Sequence, residues 1–257
     1  MNETEVSAGL VVIGDEILSG RTRDINMHTT AQFCTDLGID LREVRVVSDD
    51  IDAIVEAVNA LRARYTYVFT TGGIGPTHDD ITADAMAKAF GVDLPIHPQA
   101  RAMLEARWAE TGSEATPARL RMARVPQGAE LIVNAVSAAP GFRIENVHVM
   151  AGVPKIMQAM LEAIAPTLEG GRKVESRTVS AWIGEGAIGD PLGEIQSRYD
   201  DIKIGSYPQM GNTHIMTYLV LRGHDVARLE EATKEVQTLV DRLHAERNIV
   251  LPKEPYA

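Results

Sequence analysis

Residues 70–82 read TTGGIGPTHDDIT, and the way this stretch joins its neighbours decides the fold. Residues 65–71 (YTYVFTT) are β-branched and aromatic and read as a buried strand. Residues 80–90 place Ile81, Ala85, Met86, Ala89 and Phe90 on one helical stripe, with Gly91 as the stop. Three glycines between a strand and a helix mark a tight crossover turn. The same rhythm runs upstream. Residues 8–13 (AGLVVI) form an apolar run that ends at Gly14. Residues 24–37 carry Ile25, His28, Thr29, Phe33 and Leu37 at helical spacing, and Gly38 follows. Residues 39–47 read as a strand, and Asp49 is placed to cap a helix bearing Ile51, Ile54, Val55, Val58 and Leu61. Apolar strands alternating with amphipathic helices predict a mostly parallel sheet covered on both faces, a three-layer α/β/α domain.

Downstream the pattern is shorter in period. Pro98 opens a helix through Trp108, and a short basic helix holds Arg119, Arg121 and Arg124. Residues 131–133, 142–144 and 147–150 read as strands, and 154–164 as a helix. Residues 169–173 (EGGRK) lack any apolar side chain and read as a linker. The expected domains are therefore 1–171 and 172–257. The second shows strand 174–183, helix 189–199, strands 202–207 and 213–222, helix 225–243 and a last strand at Ile249, a small α+β (βαββα) domain.

Composition narrows the class. Of 257 residues, 45% are hydrophobic and only 5% aromatic, so aliphatic side chains must build the core. Twenty-five Lys and Arg stand against 36 Asp and Glu, a net charge of -11 that disfavours nucleic acid and anionic membrane as partners. The single cysteine, Cys34, rules out an internal disulfide and any multi-cysteine metal site. Residues 1–7 carry no cationic or apolar signal, so a cytoplasmic protein is expected.

The chemistry-bearing residues collect at predicted strand ends. Gly14, Asp15 and Glu16 follow the first strand, where ligands of parallel sheets sit. Gly72, Gly73 and Gly75 suit positive φ and a close approach to an anion, and Thr71 and Thr77 add hydroxyls beside Pro76. A plain turn capped by Thr77 or Asp79 fits the same spacing. Asp79 and Asp80 at the helix start would repel a phosphate there. Either a divalent cation bridges them, with Asp49, to the phosphate, or one acid stays protonated as a general acid. A second turn, AGVPK, places Gly152, Pro154 and Lys155 at another helix start. His78, Cys34, Ser19 and Ser137 read as ordinary turn or core residues.

Taken in order, IGDEILSG with RDIN, VVSDD, TTGGIGPTHDDIT, APGF and AGVPK resemble the molybdopterin-binding domain family. The branch is that of competence/damage-inducible protein A and the molybdopterin-binding-like half of eukaryotic FAD synthetases, and the tail IGSYPQMGNTHIMTYLVLRG is similar to its small following domain. The resemblance implies a homo-oligomer with a pocket for a pterin or nucleotide. It matches Asp49 and Asp80 to the family's two active-site aspartates, Thr71, Gly72, Gly73, Gly75 and Thr77 to its phosphate loop, and Gly152, Pro154 and Lys155 to its closing turn. His78-Asp79 replaces a basic position of cofactor-biosynthesis members, which speaks against molybdopterin adenylylation or molybdenum insertion. The Asp-Asp form suits the branch with metal-dependent ADP-ribose or FAD pyrophosphatase activity. With no amidohydrolase segment after the small domain, nicotinamide-nucleotide deamidation is not expected. The resulting expectation is a metal-assisted pyrophosphatase (Asp49 and Asp80 catalytic; Asp49, Asp79 and Asp80 on a divalent metal such as Mg). The alternative is a protein that binds molybdopterin or a nucleotide without turnover.

Overall fold

Seven consecutive buried residues, Ser7–Ile13, form β1, and only a strand with neighbours on both edges and layers on both faces buries so long a run. The computed structural model describes residues 6–210 and 215–249. They divide into two units, Met1–Arg172 and Lys173–Ala257.

In the first unit β1 lies between β2 (Asp40–Val47) and β3 (Tyr67–Thr71) in a sheet of order β2-β1-β3-β6-β5-β4. β6 (Val147–Met150) continues the parallel part beside β3, while β5 (Gly141–Ile144) and β4 (Glu130–Ile132) add an antiparallel edge. The pleat sends alternate side chains to opposite faces. Val11, Ile13, Val68, Val147 and Val149 pack with α3 (Ile51–Arg62), α4 (Thr82–Phe90) and α5 (Pro98–Thr111). Leu10, Val12, Phe69 and Met150 pack with α2 (Asn26–Asp36) and α7 (Pro154–Ile164). Two helical layers around a mostly parallel sheet are the expected three-layer domain.

Three local readings need correction, and each bears on the site. Asp50, not Asp49, caps α3: its carboxylate accepts the Ala53 N–H at 2.9 Å. α4 starts at Thr82, so Asp79 and Asp80 lie in the preceding turn and neither they nor Thr77 cap it. Residues 15–18 are not bare turn but a four-residue helix, α1 (Asp15–Leu18). The basic segment is α6 (Pro117–Leu120) followed by a short 3-10 turn, Arg121–Ala123.

In the second unit β7 (Glu175–Ala181), β9 (Ile215–Gly223) and β8 (Lys203–Met210) form an antiparallel sheet of order β7-β9-β8. α8 (Glu185–Gln196) and α9 (Val226–Glu246) bury Ile188, Leu192, Leu229, Val236 and Val240 with Leu219 and Leu221, completing the βαββα unit. α8 begins earlier than its glycines suggested, taking Gly186, Gly189 and Pro191 inside the helix. Ile249 is not a strand; it packs on this core after Asn248 turns at φ 53. Residues 213 and 214 of the expected strand, and residues 1–5 of the expected leaderless start, lie outside the described residues.

One core residue is out of character. His148 on β6 is 1% exposed and lies against the rings of Tyr67 and Phe69, with neither ring nitrogen hydrogen-bonded among the described residues. Burial, helped by the Arg143 charge, brings its pKa from 6.5 down to about 4. Between those values the unfolded chain binds the proton and the folded chain does not, so folding stability falls as pH drops through this window. His148→Phe keeps a ring of similar shape and removes both unsatisfied atoms. The variant should have a higher urea midpoint than the parent at pH 7 and lose less stability on acidification from 6.5 to 4, as read by urea denaturation at each pH.

Candidate functional site

The chain leaves β1 for β2 on one side and returns to β3 on the other. This reversal opens a crevice at the carboxyl ends of β1 and β3, the usual ligand position in such sheets. A pocket of about 460 Å³ lies there, and it draws on five segments. Glu16 comes from α1, and Gly72, Gly73, Ile74, Gly75, Pro76 and Asp80 from the loop after β3. Met122, Ser137 and Ala139 come from the segments before β5, and Gly152, Val153 and Ile156 from the start of α7.

The glycine loop is held by the residue that follows it. Asp80 accepts the Gly75 N–H at 2.7 Å with one carboxylate oxygen, and the Thr77 N–H at 2.7 Å and the Thr77 hydroxyl with the other. Thr82 completes the frame: its hydroxyl donates to the Gly72 carbonyl and its N–H to the Gly73 carbonyl. Gly73 sits at φ 66, and a Cβ there would meet the Thr82 hydroxyl. Gly75 does not have positive φ, contrary to the reading from sequence. It is glycine because a Cβ would lie 2.6 Å from the Asp80 carboxylate.

The frame leaves main-chain donors unspent. Among the described residues no hydrogen bond uses the N–H of Gly73, Ile74, Gly152 or Val153, and all four residues line the pocket. The positive end of the α7 dipole lies beside them. Asn26, from RDIN, fixes the second pair by donating its Nδ2 to the Gly152 carbonyl at 2.8 Å, while its buried Oδ1 has no partner among the described residues. Four donors and a helix N-terminus around one pocket suit an oxyanion.

The acids are distributed differently from the expectation. Asp49 accepts the Asp15 N–H at 2.9 Å, and its pKa is raised by burial and by the nearby charges of Asp15, Glu16 and Asp79. Asp79 is exposed, and its pKa is lowered by a hydrogen bond with Thr77. Among the described residues no three His, Cys, Asp or Glu side chains stand together as a metal-holding group. The expected cation cage of Asp49, Asp79 and Asp80 therefore does not fit: Asp80 has committed both oxygens to the loop. Behind the loop Arg121 donates to the Asp80 carbonyl at 3.1 Å, and Arg124 grips Asp84 through two bonds of 2.8 and 2.7 Å. Two guanidiniums against one carboxylate offset the acids in front.

Several expected residues stand back from the pocket. Thr71 is buried with its hydroxyl unpartnered among the described residues, and Gly14 spends its N–H on the Val47 carbonyl. Pro154 opens α7, and Lys155 is exposed outside the pocket lining. Asn26, Arg121 and Ser137 were not expected to contribute. Asn26, within the RDIN segment quoted for the resemblance, was the one signal that could have been used; nothing local marks Arg121.

Residues 9–170 match the family model described as "Probable molybdopterin binding domain". The chain belongs to the molybdopterin-binding domain family. Residues 173–248 match a second model, "FAD synthase, middle domain". Within this family, a protein of Archaeoglobus fulgidus is 32% identical over 90% of this chain and 97% of its own length. A CinA-like protein of Desulfosudis oleivorans is 35% identical over 72% of this chain and 48% of its own, and a "Probable FAD synthase" of Caenorhabditis elegans 29% identical over 91% and 50%. The chain thus spans about half the length of those two relatives. The crystal structure of CinA from Thermoplasma acidophilum, described as of unknown function, covers 64% of this chain and 99% of that one at 36% identity and a TM-score of 0.59. In this member of the molybdopterin-binding domain family, Asp80→Asn supplies one acceptor oxygen where two are used, and turns an amide N–H₂ toward a donor. The substitution should cost roughly 1–2 kcal/mol in urea denaturation and speed hydrogen exchange at Gly75 and Thr77. Asp49→Asn, which removes a charge disfavoured by burial, should be neutral or stabilising at pH 7, with the difference vanishing in acid.

Proposed function

We propose that the glycine-loop pocket binds a phosphate-bearing pterin or nucleotide, with the phosphate on main-chain donors and the ring system in the apolar part of the pocket. The unspent N–H groups of Gly73, Ile74, Gly152 and Val153 carry this reading. Met122, Val153 and Ile156 supply apolar surface for a planar ring. The family's name and the FAD synthase relatives point to the same two ligand classes.

A second reading adds turnover: hydrolysis of the diphosphate of ADP-ribose or an FAD-like ligand. It is favoured by Asp49, whose proton affinity is raised at the edge of this site. In that reaction Asp49 takes a proton from the attacking water as general base, and the loop donors stabilise the charge that develops on the phosphate oxygens. A divalent ion that arrives with the diphosphate would neutralise part of its charge. Glu16, which lines the pocket, and the exposed Asp79 are the carboxylates placed to approach it.

The second unit leaves the outer edges of β7 and β8 unpaired in its own sheet, and we assign it to self-association. Truncation after Gly171 should lower the mass seen by light scattering without abolishing ligand binding.

Titration with ADP-ribose, FAD and molybdopterin, with and without magnesium, tests the main reading by calorimetry, and AMP release tests turnover. Gly73→Val, which forces a β-branched residue to φ 66 and into Thr82, should abolish binding of whichever ligand the parent protein takes. A folded Gly73→Val protein with unchanged affinity would show that the loop is only a turn.

A further inference from the structure

The glycine-loop pocket has no cationic side chain in its lining, and its charged members, Glu16 and Asp80, are both acids. Main-chain N–H groups carry partial charge, which orients an oxyanion but falls short of the full charges a phosphate brings. Asp15 and Asp79 act with Glu16 on Asp49 at the same edge, and Arg121 and Arg124 behind the loop are partly offset by Asp84. A phosphate seated there would meet more full negative charges than positive ones.

The segment that joins α1 to α2 brings positive charge to this wall. Gly20, at φ 72, turns the chain after α1, and the Thr22 N–H then returns to the Glu16 carbonyl at 2.9 Å. Further on, Asp24 accepts the N–H groups of Asn26 at 3.3 Å and Met27 at 2.9 Å, and Asn26 donates to the Gly152 carbonyl at 2.8 Å. Glu16 and Gly152 both line the pocket, so the segment is tied to two of its walls. Arg21 and Arg23 flank Thr22, and both side chains are exposed. Their Cα atoms stand about 3.8 Å from that of Thr22, which sets both arginine stems at the Glu16 wall.

Neither guanidinium has an ion pair or a hydrogen bond among the described residues. Yet the chain holds 36 acids against 25 basic residues, and Asp15, Glu16 and Asp24 are close in sequence. Asp24 has given both oxygens to the main chain of α2. Elsewhere in this unit arginines are matched: Arg45 and Arg64 with Glu43, Arg62 with Glu145, and Arg124 with Asp84. An exposed arginine needs no partner beyond water. What sets this pair apart is its place, on a segment pinned to a phosphate-suited pocket that has no cation of its own.

On the phosphate-binding reading of the pocket, on which this rests, we infer that Arg21 and Arg23 are binding residues of that site. They pair with the phosphate charge that the main-chain donors leave uncountered. The planar fork of a guanidinium suits phosphate oxygens. The main chain fixes where the phosphate lies, and the arginines make the site respond to how much negative charge the ligand carries. A neutral nucleoside or a pterin without phosphate gains nothing from them.

Calorimetric titration of the full chain with ADP-ribose, FAD and molybdopterin tests this, with the parent set beside Arg21→Gln/Arg23→Gln and Arg21→Lys/Arg23→Lys. Both positions are exposed, so both double variants should keep the parent's urea midpoint. The Gln pair should weaken whichever of the three compounds the parent binds about tenfold, as two partly exposed ion pairs would. The Lys pair keeps the charge and should lose no more than about threefold. Raising the salt from about 0.01 to about 0.15 M should weaken the parent several-fold and the Gln pair hardly at all, because it screens the charges that the Gln pair lacks. A Gln pair with the parent's affinity and salt response would overturn the inference and leave the pocket reading standing, provided Gly73→Val still abolishes binding. Equal losses in the Gln and Lys pairs would also overturn it, since the segment would then act through its shape and not its charge. A parent protein that binds none of the three compounds removes the pocket reading, and the role of the arginines with it.

Discussion

A carboxylate that points back into its own loop shapes the whole ligand site. Asp80 ties the Gly75 and Thr77 N–H groups and the Thr77 hydroxyl to one planar group, and Arg121 holds the Asp80 carbonyl from behind. With those donors spent on Asp80, the preceding residues Gly73 and Ile74 keep their N–H groups for something else. The loop geometry that leaves them unspent needs left-handed backbone at Gly72 and Gly73, a conformation that side chains resist. Sequence, backbone strain and binding capacity are thus three aspects of one short segment.

The electrostatics follow from the same arrangement. In the proposed function an acidic chain receives an anionic ligand at a sheet edge already carrying Asp15, Glu16, Asp49 and Asp79. Main-chain dipoles at the glycine loop and at α7 supply positive potential without adding side-chain charge. The Arg121–Arg124–Asp84 group adds a net cation behind the loop, and Asp49, partly desolvated and crowded by like charges, holds its proton more tightly. The site is balanced by position, not by composition.

Much of this was legible in the residues. Apolar runs at β1 and β3, helical stripes at α3 and α4, and the glycine turn between them predict the three-layer sheet because burial periodicity is a local property. The βαββα order of the second unit is legible for the same reason. The role of Asp80 was not. An aspartate before a helix has the same local signature whether it caps that helix or bonds backward into a loop, and only the start of α4 at Thr82 decides between them. Asp49 and Asp50 were confused for a similar cause, since adjacent acids at a strand end compete for one cap. Arg121 and the burial of His148 against Tyr67 and Phe69 depend on contacts between distant segments, and no local pattern reports those.

Recognition through main-chain N–H groups has a consequence for how this pocket can vary. Short of proline, substitution cannot delete the N–H donors of Gly73, Ile74, Gly152 or Val153, so a scan that truncates side chains would pass over the groups that meet the anion in the proposed function. Such a scan would register only their supports, Asp80, Thr82 and Asn26. In the proposed function the pocket's grip on phosphate is therefore insulated from drift in sequence, whereas its choice of ring system, resting on Met122, Val153 and Ile156, is free to change. One scaffold of this kind can pass from pterin to nucleotide without rebuilding the part that holds the charge.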